Sequence, residues 1–331
     1  MRTATLGAAL LLLPALVPAQ PGPTPTPDHH DRKAGDVFRR QELSRGVYVL
    51  YGRGGNIGFL AGSDAVVVVD SQFKDLGPGI VEQIQAVTAK PIKYLVNTHH
   101  HGDHVGGNEV FRPFAVIVAH DNVRKRMLES PQTILKDYPV YLEEAKKKGD
   151  AESIQSLEDA IAWAKKVRVE EIAAPVLTYD SEVRVHVGDE TIQVWHTPPA
   201  HTDGDSVVYF EKAGVLHMGD LFFYKVVPFV DVRSGGSVRG YVAALDKVLA
   251  RVPPNTRIIP GHGEVTDVAG LRAFRQYFVD ILEAAGKARA AGKTKEEFLE
   301  TVDLPAYKSW NGYGDRFRNN CDAAWDESVA R

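Results

Sequence analysis

Residues 96 to 107 read VNTHHHGDHVGG, and from His99 to His104 this stretch sets four histidines and one aspartate in six positions. His99 and His101 are two apart, so in an extended segment their side chains leave on one side while His100 leaves on the other. Gly102, with no side chain, lets the backbone turn tightly before Asp103 and His104. One short loop can therefore offer an imidazole pair to one metal ion and a carboxylate plus an imidazole to a second. The competing reading is a polar loop that merely happens to be rich in imidazole.

Three later segments carry matching residues. PPAHTDGDS supplies His201, HMGDLF supplies Asp220 and IPGHGE supplies His262, each beside glycine or after an apolar strand, where a loop would bring it to the same edge. Together they complete a two-metal set: His99, His101 and His201 for one ion, Asp103, His104 and His262 for the other, with Asp220 bridging. Imidazole nitrogen and carboxylate oxygen suit zinc, and a coordination position left to water makes such a site catalytic rather than structural.

The surrounding pattern is of short apolar strands punctuated by glycine, GVYVLYG, GNIGFLAG and AVVVVDS, from Gly46 onward. The run Val66 to Val69 is continuous, as in a strand buried on both faces. Helical spacing predicts a helix over about 79–89, then come a strand IKYLVN, the histidine loop, a strand AVIVAH and a helix opening with Asp121 as N-cap. Residues 130 to 173 are charged and helical in propensity, broken at Gly149, and read as a helical hairpin laid outside as a packing insert, though it could also cover the mouth of the site. The second half runs EVRVHVGD, TIQVWHTP, SVVYFEKAG and VLHMGD, whose alternation predicts strands with one exposed face. A helix over 237–252 and a longer one carrying Leu271, Phe274, Phe278 and Ile281 follow. The expected picture is two sheets face to face with helices outside and loops from both halves meeting at one edge.

The ordered motifs resemble the metallo-β-lactamase superfamily, whose His-x-His-x-Asp-His signature is matched at His99, His101, Asp103 and His104. The resemblance runs from about Gly46 to about Leu282 and includes Asp70, at the end of VVVVD, where that family keeps a structural aspartate beneath the metal loop. It implies an α/β fold of αββα four-layer sandwich type, spanning 46–290 with 291–331 packed on it, and a hydrolase holding two zinc ions. A hydroxide bridging the ions would attack the carbonyl of a lactam, lactone, thioester or ester, because bound water drops to a pKa of about 7. Asp103 would orient it as general base. His101 stands where oxygen-reducing di-iron members usually carry Glu, which points to hydrolysis; a phosphodiesterase and a mono-iron persulfide dioxygenase are the alternatives, ahead of a non-catalytic scaffold. Asp220 stands where many β-lactamases have Cys or Ser, so the chain resembles the general hydrolases of the family, with β-lactamase-like activity still among the expected reactions.

Other residues take humbler readings. Lys225, with Tyr224, is a candidate to hold an anionic substrate group, or a solvated loop lysine; Phe222, Phe223 and Phe229 line a pocket or pack in the core. His100 is expected to anchor its loop, and His120, His186, His196 and His217 to be structural, with His196 and His217 candidates to support the ligands.

The first 19 residues, MRTATLGAALLLLPALVPA, read as a secretory leader, followed by a flexible proline-rich linker over 20–45 that holds His29 and His30. A periplasmic or secreted protein is expected, with no stable membrane insertion once the leader is removed. Cys321 is the sole cysteine, so no intramolecular disulfide supports the fold. A net charge of -4 gives no electrostatic case for nucleic acid, which leaves a small-molecule substrate as the partner.

Overall fold

The computed structural model describes residues 38–328, so the expected leader and most of the linker lie outside the described residues. Strands β1 (Arg39–Ser44), β2 (Val47–Tyr51), β3 (Ile57–Ala61) and β4 (Val66–Val69) lead to helix α1 (Gly77–Gln85) and strand β5 (Ile92–Val96). Two short helices, α2 (Gly102–Val105) and α3 (Asn108–Phe111), precede β6 (Val116–His120), the long α4 (Asp121–Lys148), α5 (Ala151–Lys166) and β7 (Leu177–Tyr179). The second half comprises β8 (Glu182–Val187), β9 (Glu190–His196), β10 (Ser206–Phe210), β11 (Val215–His217), α6 (Val238–Arg251), β12 (Arg257–Ile259), β13 (Thr266–Asp267) and α7 (Val268–Ala290). Helices α8 (Lys295–Thr301) and α9 (Asp315–Glu327) follow.

The first sheet runs β1 to β7 in sequence order, antiparallel as far as β4 and parallel beyond it; the second runs β13-β12-β11-β10-β9-β8. Side-chain alternation then builds the layers. In β4, Val67 and Val69 meet Val185, Val194, Val208 and Phe210 of the second sheet, while Val66 and Val68 pack beneath Ile80 and Ile84 of α1. That explains the unbroken valine run. On the far side Val207, Tyr209, Leu216 and Ile258 meet Tyr241 and Leu245 of α6 and Phe274 and Phe278 of α7. Helix, sheet, sheet, helix: the four-layer α/β sandwich is the observed fold.

Four expectations are corrected. The sheet begins at Arg39, inside the span expected to be linker, because β1 pairs with β2 from Arg39↔Tyr51 to Ser44↔Val47. Alternation with an exposed face holds for the edge strand β8 but fails for β10 and β11, which are buried throughout because α6 and α7 cover their outer face. The N-cap of α4 is His120, whose side chain accepts from Asn122 N, and Asp121 is the first helical residue. The helical hairpin starts there, at 121 rather than 130, and turns at Gly149 in the left-handed conformation.

The C-terminal segment is held by capping as well as packing. The Glu327 carboxylate at the end of α9 accepts from the backbone N–H groups of Val238 (2.8 Å) and Arg239 (2.8 Å), capping α6. Cys321 is buried, and burial pushes its thiol up to about 12.

Candidate metal centre

Every predicted ligand follows the C-terminal end of a strand or the loop just beyond it. In the parallel pair β11–β12, His217 is in register with Ile259, so Asp220 and His262, each three residues further on, arrive together. The chains run so close there that a side chain at Gly261 would collide with Asp220 Oδ1. The parallel pair β4–β5 ends at Val69↔Val96, which sets Asp70 beside Thr98 and the histidine loop. His101 is the N-cap of α2, so Asp103 and His104 lie in its single turn.

Asp70 fastens that loop from below. Fully buried, and at φ 64 in the left-handed region that Asp tolerates, it accepts from Thr98 N (2.8 Å), Thr98 Oγ1 (2.8 Å) and His104 Nδ1 (2.7 Å). Asp70→Ala should therefore strand three buried donors and cost about 3–5 kcal/mol in the metal-free protein, measured by urea unfolding. A loss below about 1 kcal/mol would remove Asp70 from this role.

Four of the histidines, His99, His101, His104 and His201, have one ring nitrogen committed to a partner, leaving the other aimed inward. His99 Nδ1 donates to Thr98 Oγ1 (3.0 Å), His101 Nε2 to Asp231 Oδ2 (3.2 Å), His104 Nδ1 to Asp70, and His201 Nδ1 to the Phe229 carbonyl (2.7 Å). Such partners fix the tautomer a metal ligand needs. The donor atoms then form two clusters, His99, His101, His201 and Asp220 in one and Asp103, His104 and His262 in the other, with the atoms of each within 4.8 Å of one another. Asp220 faces both: Oδ2 lies 3.5 Å from His201 Nε2 and 3.9 Å from His99 Nε2, while Oδ1 lies 3.0 Å from His104 Nε2 and 3.4 Å from His262 Nε2. Asp103 Oδ2 stands 3.2 Å from His262 Nε2.

The donors fit cations. His99 Nε2 is buried with no hydrogen-bond partner, a costly state unless something else satisfies it. His101 Nδ1 and His201 Nε2 face each other at 2.8 Å with their ring protons committed elsewhere. A cation drawn to both lone pairs relieves that contact.

Electrostatics separates the two halves. Burial, and then neighbouring imidazoles, depress His99 and His201, so both are neutral. Burial would depress His104 and His262 too, but Asp220 and Asp103 outweigh it, raising His104 well above its usual value and His262 to about 9. Reciprocally, burial opposes ionisation of Asp220 and Asp103, yet those imidazoles hold Asp220 far below the usual carboxylate range and Asp103 at about 2. Protonated His104 and His262 thus occupy the electrostatic place of a cation, and metal uptake there would release protons.

The remaining predicted residues divide. Phe222 is core, whereas Phe223 stacks on His262 (5.2 Å between ring centroids) and the Phe229 ring lies 6.1 Å from that of His201. Tyr224 N donates to the His262 carbonyl (2.9 Å), and exposed Lys225 holds its Nζ 5.4 Å from the Tyr224 ring. His217 Nε2 donates to Asn56 O (2.9 Å), and its Nδ1 accepts from Gly219 N, bracing the turn before Asp220. His196 stacks on His120 at 3.8 Å, His186 meets Thr191 on the surface, and His100 contacts Ser234.

Sequence reasoning passed over Asp231, Asp205 and the cavity. Asp205, four residues past His201, accepts from the backbone N–H groups of His201 and Thr202 and so shapes that ligand's turn; a second acidic residue in HTDGDS was the available signal. The cavity, about 480 Å³, opens from His100 and His101 beneath α4, walled by Arg126, Ile134, Tyr138, Tyr141 and Arg233. The hairpin is therefore more than the packing insert its charge suggested. Arg126 clamps α4 to Asp203 through two bonds of 2.6 and 2.7 Å, two residues from His201.

A family model described as the metallo-beta-lactamase superfamily matches residues 50–262. A probable metallo-hydrolase, YqjP, of Bacillus subtilis is 25% identical over 231 residues, covering 64% of this chain and 69% of that protein. A linear primary-alkylsulfatase of a Pseudomonas species is 24% identical over 268 residues, 74% of this chain and 49% of that one. Among solved structures, a double mutant of the sec-alkyl sulfatase PisA1 overlays 89% of this chain and 51% of its own, with a TM-score of 0.66 and 16% identity. The chain thus spans about half the length of these alkylsulfatase relatives.

Proposed function

The chain belongs to the metallo-beta-lactamase superfamily, and from that premise we propose that it is an exported hydrolase that works with two zinc ions on a small-molecule carbonyl substrate. The observation that carries this reading is the stance of Asp220, whose two carboxylate oxygens face different imidazole sets. His99, His101 and His201 would hold one ion, Asp103, His104 and His262 the other, with Asp220 shared. Bound there, the ions would supply Lewis acidity and lower the pKa of water toward 7.

The chain's own groups supply the rest. Asp103 is the most open of the three aspartates, its side chain 22% exposed against 6% for Asp220 and none for Asp70, so it can reach solvent water and accept its proton. The Asp70, Thr98, Asp231 and Phe229 contacts hold the imidazoles in place before substrate arrives, sparing reorganisation during reaction. The cavity beside His101 has the volume of a small-molecule site, and its tyrosines and Ile134 offer apolar surface to the substrate body. Export is supported by the leader-like start of the chain.

A sulfate ester is the second reading, because the likeness to the Pseudomonas alkylsulfatase extends over 74% of this chain. Zinc-loaded protein from the periplasmic fraction of an expression host should turn over at least one of a chromogenic cephalosporin, an acyl-homoserine lactone, a thioester and a carboxylic ester. Turnover of an alkyl sulfate or a phosphodiester alone would replace the carbonyl reading, inertness toward all would overturn hydrolysis, and recovery only from the cytosol would overturn export.

A further inference from the structure

We propose that Asn56 is a positioning residue for one of the two ions: it ties the His262 loop to the histidine loop and so sets how tightly Asp103, His104 and His262 hold their cation. This rests on the two-zinc reading above. The motifs that mark the ligands do not include Asn56, which stands in GNIG just before β3, 204 residues from the Pro260 carbonyl that it binds.

The amide of this buried residue directs both of its N–H groups to the loop that carries His262. Asn56 Nδ2 donates to the Pro260 carbonyl (2.9 Å) and to the Gly263 carbonyl (2.8 Å), one on each side of Gly261 and His262, while Asn56 N donates to the Gly261 carbonyl (2.7 Å). The preceding residue does the same for the histidine loop. Gly55 N donates to the Asp103 carbonyl (3.2 Å), and a Cβ on Gly55 would collide with the His104 ring, so only bare backbone can pass there. Gln72 Nε2 holds the Gly55 carbonyl from behind at 2.6 Å.

Gly55 and Asn56 thus join the two segments whose donor atoms make the Asp103, His104 and His262 cluster. Those segments belong to different sheets: Asp103 and His104 follow β5 of the first, His262 follows β12 of the second. Metal–ligand distances tolerate only about 0.2 Å, so a joint across the two sheets decides whether the donors stand ready for a cation. It keeps Asp103 Oδ2 and His262 Nε2 at 3.2 Å. The other ion's set takes its support elsewhere, His99 from Thr98, His101 from Asp231 and His201 from the Phe229 carbonyl. The shared ligand Asp220 is also spared by a side-chain change: His217, which braces its turn, donates to the backbone carbonyl of Asn56, and every substitution keeps that carbonyl. Loss of the Asn56 amide therefore weakens one ion and not both.

The test titrates zinc into the metal-free full chain and into its Asn56→Ala and Asn56→Asp variants in competition with a chromogenic chelator, resolving the two binding steps, with unfolding midpoints measured alongside. The aspartate keeps the shape of the side chain and loses both donors. In each variant one zinc Kd should rise at least about tenfold, the scale of removing a group that supports a metal ligand, and the other should stay within about threefold of the parent. In a His262→Ala background, which already lacks a ligand of the affected ion, adding Asn56→Ala should leave the remaining Kd unchanged, a coupling that general loosening of the fold would not produce. Two unchanged Kd values in folded variants, two values raised alike, or a further rise in the His262→Ala background would overturn the assignment and leave the hydrolase reading intact. Should either variant fail to fold, Asn56→Ser, which keeps one donor, decides by the same criterion. A parent chain that takes up fewer than two zinc ions overturns the two-zinc reading itself.

Discussion

Asp220→Ala should lower kcat/KM by at least about a thousandfold on whichever substrate the enzyme turns over. Lewis-acid stabilisation by bound metal is worth several kcal/mol, and each 1.36 kcal/mol is a factor of ten in rate. Asp220 is the one side chain in the centre that faces both imidazole sets, with Oδ2 toward His201 and His99 and Oδ1 toward His104 and His262. Alanine removes the negative charge between the four rings, so zinc content should fall from two ions to one or none. The fold should survive, because Asp220 is also held by its backbone: its carbonyl accepts from Tyr241 Oη at 2.8 Å. A variant that keeps both ions and more than about a tenth of the rate would contradict the bridging role.

Asp103→Asn should reduce kcat by at least about a hundredfold, the lower end of general-base contributions. The amide preserves shape and can still face His262, 3.2 Å from the present carboxylate oxygen, but it cannot take a proton. Asp103 is also the carboxylate of its own donor cluster, so the assay needs saturating zinc with metal content determined on the same sample. Full metal with slow turnover separates the proton-accepting role from ligand loss. A fully metallated variant at near-normal rate would remove Asp103 as the base.

The clustering of the seven donor side chains was legible because each sits in a short local pattern at the end of an apolar strand, and parallel pairing converts that position into proximity. His217↔Ile259 is one register pair, and it brings Asp220 and His262 together without any further information. The continuous valines of β4 were legible for a related reason, since a strand buried on both faces has no polar side to display. The strands β10 and β11 were misread because their covering depends on α6 and α7, far along the chain, and a few residues of alternation cannot report that. Asp231 carries no local signature at all: it is one charged residue whose partner, His101, is remote in sequence. The hairpin left two readings open in sequence, because its charged face suggests a solvated packing insert as readily as a cover for the site; Tyr138, Tyr141 and Arg126 wall the cavity at His101.

The most direct measurement is elemental analysis of the purified chain before and after exhaustive chelation, with activity followed in parallel. Two zinc ions per chain, both removed together with turnover and both restored with it, is the predicted result. One iron per chain, or no bound metal and indifference to chelators, would contradict the account.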